Sequence, residues 1–312
     1  MWQVYQPMQL LALHYPEFDH FWQFELDMRF TGDAGKFLDR INLFARNEPR
    51  KQALERSLFQ HMQRYIANYS DFFDAVDHAN KGSAYIWGPL RIPEIKPIGP
   101  VPPVANAKDE NFQWGIGEDA DVIVTSMCNN ASAANAWVFR DWIGGFEAGL
   151  KTPRFVCPPA ITRASRTLFL AIHEAQVDLK LRVPSEATPP SFAIWHGLKL
   201  SFPQHPVFFR SKDDPEAAQA WWKGGPANST AGFGPQDLSH PRGMGLSWWW
   251  ESDWPRQLVD AWEGRQLEPD AEFPWILEEQ PGNDKDAHKD ERDGAQVYIP
   301  NMMLHPVKHH KD

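Results

Sequence analysis

Two carboxylates, Glu25 and Asp27, stand two positions apart in FWQFELDMRF, the stretch from Phe21 to Phe30. Two residues of extended chain span about 7 Å, and side chains two apart share a face, so both carboxylates can reach one hard cation. Such a cation is held by one or two carboxylates and keeps positions open for phosphate oxygens. That suits it to neutralising the charge on a departing diphosphate. The same spacing describes an amphipathic strand whose outward face merely carries charge, and spacing alone leaves both readings open. Other chemistries find less support. His173 and Glu174 miss the His-Glu-x-x-His zinc pattern, because Val177 stands where the second histidine belongs. The sequence has no Gly-x-Ser-x-Gly elbow, and Cys128 and Cys157 sit in no recognisable catalytic context. Hydrolysis through a nucleophilic Ser or Cys is therefore unsupported.

The elements that must position these residues follow from periodicity. Trp22, Phe24, Leu26, Met28 and Phe30 alternate with Gln23, Glu25, Asp27 and Arg29, which predicts a strand over 21–30. Residues Pro7 to Leu13 read as the end of a helix stopped by Pro16. From Asp33 to about Tyr69, Phe37, Ile41 and Phe44 and then Leu54, Leu58, Met62 and Tyr65 predict two amphipathic helices broken near Pro49. Residues 82–109 are Pro-rich and predict an ordered loop. Val122 to Thr125 is a short apolar strand fed by a Gly-rich turn, and Ala164 to Leu179 is a helix by the spacing of Leu168, Ile172 and Ala175. Ser185 can cap a helix running to His196 and ended by Gly197, with Pro190 shortening or offsetting it. The polar run 281–294 predicts a mobile loop. Strands alternating with helices make the class α/β.

Composition sets the outer bounds. The 312 residues carry 31 Lys and Arg against 41 Asp and Glu, a formal charge of −10, with no basic block. That argues against nucleic acid, whose backbone is bound by clustered positive charge. The length fits one ordinary domain or a small pair. Two cysteines are too few for a disulfide scaffold, though one bridge between them stays open. No stretch approaches the roughly 18 apolar residues of a membrane span, and the first residues lack the pattern of a signal peptide. Fifteen Trp is a high count, and Trp248, Trp249, Trp250 and Trp254 could offer stacking surface for a sugar or simply fill a core.

The segment HYPEFDHFWQFELDMRFTG resembles the uncharacterised, glycosyltransferase-like family known as domain of unknown function 3405. WGIGEDADVIVTS, RASRTLFLAIHEAQ, PSEATPPSFAIWHGLK and YIPNMMLHPVK resemble its later blocks in the same order, so the likeness spans essentially the whole chain, 1–312, as one domain. A fainter likeness joins the first block to the family 15 mannosyltransferases. The resemblance implies an α/β glycosyltransferase-A fold, a mixed sheet flanked by helices, with Glu25 and Asp27 where that fold puts its Asp-x-Asp metal motif. It implies His305, in the terminal NMMLHPVKHHKD, as a third ligand. Imidazole beside carboxylates suits Mn²⁺ somewhat better than Mg²⁺. Two acidic sites then compete to take a proton from the acceptor hydroxyl. Glu118 and Asp119 resemble the Gly-Glu-Asp loop of some inverting galactosyltransferases, and Glu186 follows Ser185 where the fold places an acidic residue at a helix start. Chain order favours Glu186. Carboxylates also stabilise helix starts with no catalytic role.

The activity so implied is a metal-dependent glycosyltransferase, a hexosyltransferase, moving sugar from a nucleotide-sugar to a carbohydrate or glycoconjugate acceptor. In that fold the nucleotide-binding strands precede the metal motif, here only about twenty residues from Met1. The expectation is therefore of a C-terminal portion lacking those strands, with little or no activity alone. Relatives resemble type II membrane proteins of the Golgi and secretory lumen, and sequons at Asn68, Asn130 and Asn228 fit such a history. Two alternatives stand beside this reading: a non-catalytic carbohydrate-binding remnant, and a glycoside hydrolase with paired carboxylates ~5.5 Å or ~6.5–9.5 Å apart and no metal.

Overall fold

The computed structural model describes residues 4–58, 61, 66–79, 86–125, 128–132, 134, 137–157, 160–203, 205, 247, 252–263, 265 and 301–308. In chain order these form α1 (Gln6–His14), β1 (His20–Phe24), β2 (Arg29–Phe30), α2 (Ala34–Asn47), α3 (Ala53–Leu58), α4 (Tyr69–Ala79), β3 (Val122–Val124), β4 (Asn129–Asn130), β5 (Phe155–Val156), β6 (Ile161–Ser165), α5 (Arg166–Val177), α6 (Thr188–His196), β7 (Leu200–Ser201), α7 (Trp254–Trp262) and β8 (Met303–Leu304). From residue 86 on, the Pro-rich stretch is loop as expected, closed by a 3₁₀ turn at Ala107–Asp109, and residues 82–85 lie outside the described residues. The run 281–294, Asn228, Trp248 to Trp250 and the end of the second predicted helix, with Met62 and Tyr65, lie outside the described residues.

The main sheet is mixed, in the order β1-β6-β3-β7, with β6 antiparallel to both neighbours and β7 parallel to β3. Its alternation sorts the core into two layers. Ile123 and Trp22 meet Ile41, Ala45, Phe37 and Leu38 of α2 on one face. Val122, Val124 and Ala164 meet Leu168, Phe169 and Ile172 of α5 and Phe192 and Trp195 of α6 on the other. The architecture is α/β, with helices on both faces of a four-stranded sheet.

Local sequence explains the helix ends. Asp33 caps α2 by accepting from the Lys36 amide at 3.0 Å, and Pro49 follows its end, as a residue that cannot donate to a continuing helix. Ser165 closes β6 and caps α5, its hydroxyl accepting from the Leu168 amide at 3.1 Å while donating to Asp121 at 2.8 Å. Pro189 and Pro190 sit in the first turn of α6, where amides have no helical partner. Gly197 ends that helix at φ 71°, in the left-handed region that costs glycine least. Ser185 differs from expectation: it lies in a 3₁₀ turn ahead of α6, whose N-cap is Ala187. The two prolines delay the helix to Thr188.

Cys128 and Cys157 form a disulfide across the ends of β4 and β5, 29 residues apart and both buried. A loop of that length gives about 3–4 kcal/mol in the chain-entropy account. No helix among the described residues is long and apolar enough to cross a membrane.

Candidate metal centre

The centre is built where the main sheet hands the chain to a second one. β1 stops at Phe24, and Glu25 to Met28 form a turn in which the Met28 amide donates to the Glu25 carbonyl at 3.1 Å. Arg29 braces it, its Nη1 donating to the carbonyls of Leu26 and Met28 at 2.8 Å each. The strand predicted over 21–30 is thus two strands with a turn between them. Leu26, expected on the apolar face, is 94% exposed, which shows why alternation fails there: nothing packs on that position. The carboxylates meet because a turn folds them together, not because they share a strand face.

The C-terminal segment supplies the third group. β2 pairs antiparallel with β8, Arg29 opposite Leu304 and Phe30 opposite Met303. Thr31 locks the junction by accepting from the Met302 amide at 3.0 Å. Trp254, Leu258, Val259, Met302 and Leu304 form the buried cluster behind β8, so Trp254 is core rather than a sugar platform. His305 follows directly, with Nε2 2.8 Å from Glu25 Oε2 and 3.6 Å from Asp27 Oδ1. One ligand atom from each of Glu25, Asp27 and His305 lies within 4.8 Å of the others. With metal–ligand bonds of roughly 2.0–2.6 Å, adjacent ligands of one cation stand about 3 Å apart. Two carboxylates and an imidazole at these spacings fit a divalent cation. The side chains are 32%, 20% and 12% exposed, open enough for further ligands.

Lys308 completes the group, its Nζ 3.0 Å from Asp27 Oδ2. Burial works to raise the Asp27 carboxyl, but the Lys308 ammonium and His305 overcome it and hold it below the ordinary carboxylate value. Sequence reading missed Lys308; the signal was available in its place three residues after His305.

Glu186 stands at the same end of the sheet. The Cys157 amide, next to the disulfide, donates to the Glu186 carbonyl at 2.9 Å and fixes its backbone. Burial pushes its carboxyl above the ordinary Glu value and the charge of Glu25 adds to this, while the Ser185 hydroxyl, 3.3 Å from Oε2, and the Trp137 indole oppose it. Tyr5 marks the neighbourhood. Its buried hydroxyl donates to Thr162 at 3.2 Å, and its pKa is raised by burial first and then by the charges of both Glu25 and Glu186.

Glu118 and Asp119 lie elsewhere. They precede β3, whose first residue, Val122, aligns through Ala164 with Phe21, whereas Glu25 follows Phe24 at the other end of β1. Glu118 is paired with Arg50 at 2.9 Å, and Asp119 faces Arg46 at 3.7 Å. The turn they occupy is held from beneath by Lys199, whose buried ammonium donates to the carbonyls of Gly115 and Glu118 at 2.6 and 2.7 Å. Burial lowers the pKa of that lysine to about 8. These contacts give the Gly-Glu-Asp turn a structural task, and neither carboxylate is brought to the cation site.

The family described as protein of unknown function (DUF3405) matches residues 1–309. No curated protein and no solved structure matches the chain, and the likeness of its first block to the mannosyltransferases finds no support there.

Proposed function

Taking as premise that the chain belongs to the DUF3405 family of proteins of unknown function, we propose that it is a metal-dependent glycosyltransferase acting from a nucleotide-sugar on a carbohydrate acceptor. The observation that carries this reading is the convergence of Glu25, Asp27 and His305 within 4.8 Å. A divalent cation held there supplies charge neutralisation for a diphosphate leaving group. The chain's own residues do the rest. Glu25 and Asp27 offer hard oxygens and His305 a softer nitrogen, a set that favours Mn²⁺ over Mg²⁺. Glu186, half-buried at the same end of the sheet with a raised pKa, has the character of a general base for an acceptor hydroxyl. The Cys128–Cys157 bridge agrees with an oxidising compartment such as the secretory lumen.

The test is nucleotide binding. Titration with UDP and GDP, with and without Mn²⁺, should show diphosphate affinity that requires the metal and disappears in Glu25→Gln. Binding that ignores Mn²⁺, or no binding of either nucleotide, contradicts the donor assignment.

A further inference from the structure

A cleft lies at the edge of the sheet away from the cation centre. β7 is the edge strand opposite β1, and Leu200, at its start, aligns through Val122 and Ala164 with Phe21, at the end of the sheet away from Glu25. Between β7, α3 and the loops that carry Trp87 and Trp114 is a space of about 50 Å³. At roughly 10–15 Å³ for each water, it has room for roughly three or four waters or for the end of a slender chain. Leu54, Leu198 and Leu200 give it an aliphatic wall. The indoles of Trp87 and Trp114 meet at 70° with centroids 4.9 Å apart and give it an aromatic corner. That corner is fixed: the Trp87 indole N–H donates to the Val104 carbonyl at 2.8 Å, and the Trp114 amide donates to the Glu110 carboxylate at 2.8 Å.

Two charged side chains also line the cleft, and they differ in their partners. Arg50 is engaged. Its Nε and Nη2 both meet Glu118 Oε2 at 2.9 Å, its Nη1 donates to the Gly197 carbonyl at 3.1 Å, and the guanidinium lies over the Trp114 ring, 5.3 Å from its centroid. Glu55 is 8% exposed, and its carboxylate takes hydrogen bonds from backbone amides, its own and that of Ile86, which lines the same cleft. Arg56, next along α3, is committed elsewhere, with Nε on Glu48 and its terminal nitrogens on the carbonyls of Lys51 and Pro49. Among the described residues no cation forms an ion pair with Glu55. Burial raises its carboxyl to about 6 against the opposing charge of Arg56, which leaves it ionised at neutral pH.

A buried carboxylate without a counter-ion is costly, and a ligand that brings the missing positive charge relieves that cost. An anion would meet the charges of Glu55 and Glu118, and a neutral ligand would leave Glu55 as it is. Indole faces attract cations as well. We propose that this cleft binds a primary alkylammonium, with its nitrogen on Glu55, its charge against the ring of Trp87 and its methylene stem along Leu54, Leu198 and Leu200. The same group ends a free alkylamine and a lysine side chain.

NMR titration of the full chain with n-butylamine tests this, with n-butanol as the uncharged ligand of the same shape. Butylamine should bind at least about tenfold more tightly, the scale of one charge-assisted hydrogen bond. Glu55→Gln keeps the shape of the side chain and removes its charge, so it should abolish the preference, with circular dichroism as the check on folding. Trp87→Leu, on the loop across from the helix of Glu55, should weaken butylamine more than butanol and gives a second readout should the Gln variant not fold. Nα-acetyl-lysine methylamide separates the sources: binding as tight as that of butylamine marks a lysine side chain as the ligand, and weaker binding a free amine. The proposal is overturned if butylamine does not outbind butanol, or if its preference survives in folded Glu55→Gln or is untouched by Trp87→Leu.

Discussion

Asp27→Asn should lower Mn²⁺ affinity by at least about a hundredfold, since substitutions in a metal's outer shell already cost 10–100-fold and Asp27 would be a direct ligand. Asn keeps the volume and the turn but removes the charge, so the loss reports on ligation rather than on folding. The change also releases Lys308, now paired with Asp27 at 3.0 Å, and leaves an uncompensated ammonium beside the site. Both effects oppose cation binding. Electron paramagnetic resonance titration of free Mn²⁺ gives the affinity directly, with circular dichroism as the check that the fold is kept. Affinity within a fewfold of the parent chain would remove Asp27 from the ligand set.

Glu186→Gln should reduce whatever turnover the chain supports by about 10²–10⁴-fold, the usual contribution of a positioned general base, while Mn²⁺ and nucleotide affinities stay as they are. The amide preserves the neighbours of the side chain but cannot accept the proton. The pH dependence has a defined sign. A general base works ionised, and burial followed by the charge of Glu25 raises the Glu186 pKa. Activity should therefore climb with pH through a value above that of an ordinary glutamate and fall on acidification. A rate within tenfold of the parent, or an acid limb unchanged in the Gln variant, would show that the proton goes elsewhere.

How much of this could be read from sequence depended on whether a residue's task was local. α5 was legible because Leu168, Ile172 and Ala175 recur at helical spacing and Ser165 caps it. Its observed bounds, Arg166–Val177, fall inside the expected span. β6 was not read at all, although it is central to the sheet: Arg163, in its middle, looks like a break in an apolar strand. Arg163 is in fact buried, with its two terminal guanidinium nitrogens donating to Asn42 and the Ala120 carbonyl at 2.8 and 2.6 Å. Those partners lie more than forty residues away, and no local pattern announces them. The turn at Glu25 to Met28 was hidden for the opposite reason. Its residues alternate perfectly, but alternation records side-chain chemistry and not whether a neighbouring strand is there to continue the ladder. Past Phe24, β1 loses β6 as its partner, and two residues of β8 from the far end of the chain take over at Arg29.

The site shows the same division. Glu25 and Asp27 were legible as a pair, and family resemblance added His305 and Glu186. Trp254, part of the conspicuous SWWWESDW run, turned out to fill the core behind β8.

The most direct test of the central claim is an anomalous-difference map from crystals soaked in Mn²⁺, recorded above the manganese edge. The structure predicts one strong peak bounded by the Glu25 and Asp27 carboxylates and His305 Nε2, with the Lys308 ammonium displaced from Asp27. A map with no peak among these three side chains, or with its strongest peak elsewhere in the molecule, would contradict it.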